Sequence, residues 1–264
     1  MKSLKSFVFV LGACIGVPTY IMAIRPYAKE RERQPVPYQA EPDPKNPSAP
    51  AKDPETAKTL YYPQSYAGDN KRGELVYARE GCAQCHTQII RPDYAGNDQI
   101  KRFSGREQEF KKDVPAPVRQ THPWDYMHED FAMFGQRRIG PDLANAGYRF
   151  SDKEGKPEPA KVAALYQHLY APRSIQGRKW SNSPSFRHLF KVKEKESDEG
   201  RGDALKLKIG DDLDADEREE LLPQEGFEIV PTEEAKALVG YILGLKRDYP
   251  IPSSITGIQP KAEK

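Results

Sequence analysis

At 264 residues, with 37% hydrophobic and 30% charged residues and 24 prolines, the chain has room for one or two domains and a substantial share of linker or solvated insertion. A formal net charge of +2, with both signs interspersed, gives no global field that points to nucleic acid. Three cysteines, two of them in one short motif, exclude a disulfide framework.

The N-terminus opens with Lys2 and Lys5 and then runs apolar from Phe7 to Ile24, just long enough to span a bilayer as a helix. A cleaved signal peptide has a shorter apolar stretch, so the run reads as an uncleaved anchor. Leu11-Gly12-Ala13-Cys14 leaves a lipoprotein signal as the alternative. Arg25, Lys29, Arg31 and Arg33 outnumber the preceding lysines, which by the positive-inside rule favours a cytoplasmic C-terminal side. The motif discussed next argues for the opposite side. From Gln34 to Gln64, eight prolines favour an extended, polyproline-like spacer.

Asp69 to Glu80 reads as a helix, capped by Asp69 or Asn70. It leads into Cys82-Ala83-Gln84-Cys85-His86, the attachment signature of a c-type haem. Two thiols three positions apart suit addition to the two vinyl groups of one porphyrin, and the following histidine then ligates the iron as the proximal ligand. A zinc site needs two more ligands, and Cys14 lies far upstream in an apolar run. A thioredoxin-like redox pair belongs near a βαβ pattern, which the sequence lacks.

Further along, Ala160 to Tyr170 reads as a helix with Val162, Leu165, Tyr166 and Leu169 on one face, and His168 there reads as a packed or solvent-tipped residue rather than a ligand. Lys191 to Leu222 is charge-rich and poor in aromatics, so it reads as a solvated insertion. A last helix is capped by Thr232, carries Glu233 and Glu234 in its first turn, and ends at Lys246 and Arg247. Leu238, Tyr241, Ile242 and Leu245 share one of its faces.

Gly73 and Tyr77 on the first helix, set against that last helix, resemble the crossing of class I cytochromes c. Gly140-Pro141-Asp142-Leu143 resembles the segment of those proteins whose proline carbonyl orients the axial histidine. Three stretches together resemble one family, the membrane-anchored mono-haem subunit (subunit II, FixO/CcoO) of cbb-type haem–copper oxidases. They are Tyr77 to Pro92, with Ile90-Arg91-Pro92 after the haem motif; Gly135 to Leu143; and His168 to Arg173.

The resemblance implies a mainly α fold, a single N-terminal transmembrane helix followed by a class I cytochrome c-like domain with insertions. It divides the chain into an anchor and flank (1–33), a proline-rich linker (34–66), a cytochrome c domain (67–250, with the charged insertion at 191–222) and a tail (251–264). One haem c would be held by Cys82 and Cys85, ligated by His86, and oriented through Pro141. Arg138 and Arg91 are candidates to pair with its propionates. The role implied is electron relay in aerobic respiration, without an active site of its own. Electrons would pass from another c-type cytochrome to a polytopic haem–copper catalytic subunit, with the haem domain on the periplasmic face of the bacterial inner membrane.

One departure stands out. The family's distal loop carries a methionine ligand, where this chain reads Asn182-Ser183-Pro184. His188 in the same loop is the candidate replacement. The loss leaves two alternatives to the oxidase subunit: a haem-based sensor with an open distal site, or a free-standing anchored electron shuttle.

Overall fold

The computed structural model describes residues 2–31, 36–37, 61–62, 66–100, 119–152, 156–195 and 201–247. These residues are mainly helical, with two short antiparallel strand pairs. They fall into two units. One is drawn from residues before Tyr66 together with His122–Phe131, the other from Tyr66–Thr121 and Ala132–Asp248.

In the first unit, α1 (Lys2–Thr19) passes through a π turn at Tyr20–Ile24 into α2 (Arg25–Arg31). The cause of the irregularity is local. Pro18 has no N–H to give to the preceding turn, so the ladder is re-phased just beyond it. Thr19 Oγ1 donates to the Ile15 carbonyl at 2.7 Å. Leu4–Ala28 is long and apolar enough to cross a membrane, with a mean hydropathy of 2.2 and none of it buried. Strands β1 (Val36–Pro37) and β2 (Tyr61–Tyr62) pair antiparallel, Val36 opposite Tyr62. The remainder of the proline-rich linker, and the C-terminal tail, lie outside the described residues.

The second unit is built on helices α3 (Gly68–Arg79) and α7 (Glu233–Gly244). The expected cap of α3 is corrected. Extended Ala67 precedes the helix, Gly68 takes a φ of 55°, and Asp69 falls in the first turn, where a carboxylate favours the helix dipole. Thr232 caps α7 as the sequence suggests, accepting from the Ala235 N–H at 3.2 Å. That helix stops at Gly244, short of Lys246 and Arg247. Arg247 turns inward instead, donating to Gln88 Oε1 at 2.9 Å.

The two helices approach as closely as backbones permit. A Cβ on Gly73 would lie 2.0 Å from the Ala237 carbonyl oxygen and 2.8 Å from Tyr241 Cβ. The rings of Tyr77 and Tyr241 then pack with centroids 5.4 Å apart. At the other end Arg79 forks onto Glu234, at 2.7 and 3.0 Å. Helices α4 (Ala146–Arg149) and α5 (Pro159–Tyr170) complete the core, which gathers Val76, Leu165, Leu169, Leu238 and Ile242.

The stretch from Lys191 differs most from expectation. Phe190–Glu194 forms strand β3, paired antiparallel with β4 (Phe227–Pro231) from Phe190 opposite Pro231 to Glu194 opposite Phe227. Between them, α6 (Ala215–Leu221) begins in a capping box in which Asp214 accepts from the Glu217 N–H at 2.9 Å. Leu213 and Leu221 are buried in the core, and Leu205, Leu207 and Ile209 pack against it. The charges occupy the solvent side, and a few widely spaced leucines suffice to seat the segment.

Gly73→Val should therefore cost about 3 kcal/mol or more, because neither the Ala237 backbone carbonyl nor Tyr241 Cβ, fixed to the helix it stands on, can yield. Denaturant unfolding should show a lower midpoint with an unchanged slope.

Candidate functional site

Gly81 ends α3 with a φ of 71°, a left-handed conformation that glycine adopts without penalty. The chain then tightens into a 3₁₀ turn over Cys82–Gln84, with the N–H groups of Cys85 and His86 both donating to the Cys82 carbonyl, at 3.2 and 3.0 Å. Cys82, Cys85 and His86 thus occupy one turn of chain, and both cysteines are free thiols. Burial, with help from the Glu80 charge, pushes the Cys82 thiol up to about 12, so it is uncharged at neutral pH.

His86 Nδ1 lies 2.8 Å from the Pro141 carbonyl oxygen. A carbonyl only accepts, so Nδ1 carries the proton and Nε2 keeps its lone pair. Among the described residues nothing donates to that lone pair. Burial lowers the His86 pKa and outweighs the Pro141 carbonyl, which pulls the other way, so the net effect favours a neutral imidazole available as a metal ligand.

The loop carrying Pro141 is laced to the cysteine turn. Gln136 N–H donates to the Ala83 carbonyl at 3.0 Å, Gly140 N–H to Cys85 at 3.0 Å, and Leu143 N–H to Thr87 at 2.7 Å. Two glycines allow the approach. A Cβ on Gly140 would fall 2.1 Å from His86 Cε1, and one on Gly135, 2.1 Å from the His86 carbonyl oxygen. The imidazole is therefore clamped by backbone on one face, and its tautomer is fixed.

Behind this loop stands a charged brace that sequence reasoning missed. Asp142 Oδ2 accepts from Thr87 Oγ1 at 2.6 Å and from the Ile89 N–H at 2.9 Å, and its carbonyl accepts from Arg149. Arg138 donates to Thr87 Oγ1 at 2.7 Å, to Asp98 Oδ1 at 2.6 Å and to the Ile89 carbonyl at 2.5 Å. Arg91 forks onto Asp98 at 2.9 and 3.0 Å. Arg91 and Arg138, the candidates for propionate pairing, thus converge on one buried carboxylate, that of Asp98. Most of the Arg138 N–H groups are already engaged, which makes it a residue that ties the His86 segment to the 138–142 loop. Asp142 was visible inside the Gly-Pro-Asp-Leu segment. Nothing local marked Asp98.

On the other side of the site, His188 Nε2 lies 2.9 Å from Glu80 Oε2, with its side chain 58% exposed. The candidate distal ligand of the sequence is instead engaged with a carboxylate near solvent. His168 comes closer to the site than expected. Its Nε2 is 3.4 Å from Ser183 Oγ, and its Nδ1 is buried without a partner among the described residues. Burial, then the charges of Arg178 and His86, push its pKa down to about 4.

The Asp98 brace makes stability depend on pH. Burial raises the carboxyl, but its bonds to Arg91 and Arg138 outweigh this and hold it well below the usual carboxylate range. The unfolded chain therefore takes up the proton first. The stabilisation is complete above about pH 4 and is lost as pH falls toward the folded-state value. Asp142, whose carboxyl is raised by burial, works in the opposite sense. Asp98→Asn should cost about 2 kcal/mol at pH 7, because Arg91 remains 41% exposed and partly solvated. It should also flatten the loss of stability between about pH 4 and pH 2, read by denaturant unfolding at each pH.

A family model described as "Cytochrome C oxidase, mono-heme subunit/FixO" matches residues 52–221, the span that holds the cysteine turn, the Pro141 loop, the Asp98 brace and His168. None of the curated proteins matches the chain.

Proposed function

Because the chain belongs to the FixO family of mono-haem cytochrome c oxidase subunits, we propose that it is the membrane-anchored electron relay of a cbb-type terminal oxidase. Membership makes it an electron-transfer subunit with one haem and a catalytic subunit as partner. The finer reading is as follows.

The haem is attached covalently through Cys82 and Cys85, and His86 supplies the proximal ligand. The observation that carries this is the 2.8 Å bond between His86 Nδ1 and the Pro141 carbonyl, beside two free thiols in the same turn. These residues fit the group. A fixed tautomer presents Nε2 as a lone pair, and Gly140 leaves room for the ring. The haem, when bound, supplies reversible one-electron chemistry. The chain's own part is to hold the donor atom still and to raise its basicity through the Pro141 carbonyl. On this reading the relay asks no residue to act as an acid, base or nucleophile and has no active site of its own.

Electrons arrive from another c-type cytochrome and leave to a polytopic haem–copper subunit that reduces oxygen. Residues 1–33 serve as anchor and flank, and the apolar helix at Leu4–Ala28 supports this. Residues 34–66 link it to the haem domain at 67–250, and 251–264 form a tail. The haem domain faces the periplasm of the bacterial inner membrane, the side on which c-type haem is attached.

Ser183, standing where the family carries methionine, favours a second reading: a haem-based sensor with an open distal position. Its partner would be a diffusible ligand rather than an oxidase.

When the chain is produced with a c-type maturation system, a haem-stained band should survive denaturing electrophoresis and disappear in the Cys82→Ala, Cys85→Ala double variant. Mild detergent extraction should bring down a polytopic oxidase subunit with the stained band. Haem that extracts into acidic acetone would overturn covalent attachment, and recovery of the chain alone would favour the sensor or the free shuttle.

A further inference from the structure

His168 stands in the last turn of α5, and its side chain turns toward the Asn182-Ser183-Pro184 loop rather than toward solvent. We propose that His168 supplies the second axial ligand of the haem iron, an imidazole in place of the family's methionine. This rests on the reading that His86 supplies the first.

Ser183 offers only a hydroxyl. A hydroxyl is a poor ligand for haem iron, so a serine in this loop leaves the position to a neighbour. The nitrogen base in contact with Ser183 is His168, whose Nε2 is 3.4 Å from Ser183 Oγ. At that length the contact is weak for an O–H···N or N–H···O bond. Nδ1 is buried and finds no partner among the described residues. An imidazole with one long contact and one buried, orphaned nitrogen is costly unless another group engages it.

The other candidates are committed elsewhere. His188 is held by Glu80 at 2.9 Å and is largely exposed. Of the four methionines, Met1 and Met22 belong to the N-terminal apolar region. Met133 packs against the hydrophobic core, and Met127 follows the Trp124 turn, its N–H donating to the Trp124 carbonyl at 3.1 Å.

Exchange of thioether for imidazole has a defined consequence. Methionine is the ligand that raises the potential of c-type cytochromes, so a His–His site sits lower. The relay would then accept electrons from a correspondingly low-potential donor.

The test uses the full-length, haem-loaded chain in detergent. The parent should be low-spin in the ferric state, and its ferrous form should resist carbon monoxide. His168→Ala should turn the ferric spectrum high-spin and bind carbon monoxide readily, while keeping the haem-stained band on a denaturing gel. His168→Met should restore a low-spin spectrum with a raised midpoint potential, which separates ligation from a loss of packing. His188→Ala should leave the parent spectrum unchanged. A parent that is already high-spin, or a low-spin spectrum that survives His168→Ala, overturns the proposal even when the stained band is intact. A parent without a stained band removes the underlying haem reading, and this proposal with it.

Discussion

The bond between His86 Nδ1 and the Pro141 carbonyl, 2.8 Å long, is the constraint on which the rest of the site depends. It decides the tautomer, and the tautomer decides which nitrogen can meet a metal. Everything around it serves to keep one carbonyl and one ring in register. Gly140 lets the loop lie flat on the imidazole, since any side chain there would collide with the ring. Backbone bonds from Gln136, Gly140 and Leu143 then fasten the loop to the cysteine turn at three points. Because these are main-chain bonds, they hold whatever side chains the loop presents to solvent.

A second layer stabilises that register from behind. Asp98 receives two guanidinium groups, one from just after the haem motif and one from just before Pro141. Asp142 receives Thr87 and the Ile89 N–H from the same stretch that follows His86. Five side chains from three segments, Thr87, Arg91, Asp98, Arg138 and Asp142, thus share one network. A buried network of this kind is costly when one member is missing and rigid when complete. Rigidity is what a one-electron relay asks of its protein, which has to hold its ligands unchanged through both oxidation states. The α3–α7 crossing plays the same part at larger scale, since it sets where the cysteine turn begins.

The distal side is organised differently. It depends on a loop without backbone lacing to the cysteine turn among the described residues, and on side chains from α5. Asn182-Ser183-Pro184 contributes no strong ligand, and His168 beside it is half-buried, with its Nδ1 buried and without a partner among the described residues. Exposed Trp180, 78% accessible, stands on the approach to the same loop. The His86 side of the site is thus fastened by main-chain bonds, whereas the Ser183 side rests on single side chains.

Local chemistry made much of this protein legible in its sequence. The cysteine spacing, the histidine after it, the apolar run before Tyr27 and the periodic faces of α5 and α7 are properties of a few adjacent residues, and spacing alone reports them. Pro141 was legible for a related reason, as part of a short segment whose backbone does the work. Side-chain partners were not legible. Arg138 meets Asp98 across 40 positions, His188 meets Glu80 across 108, and His168 meets Ser183 across 15. A guanidinium suits a carboxylate wherever the fold provides one, so the sequence determined that these arginines would be paired and the tertiary structure decided with what. The charged stretch from Lys191 obeys the same logic. Its composition reads as solvated, yet five leucines and isoleucines between Leu205 and Leu221 meet a core that exists only once β4 lies beside β3. Burial depends on which surface a side chain faces, and that surface is assembled from segments the chain brings together only on folding.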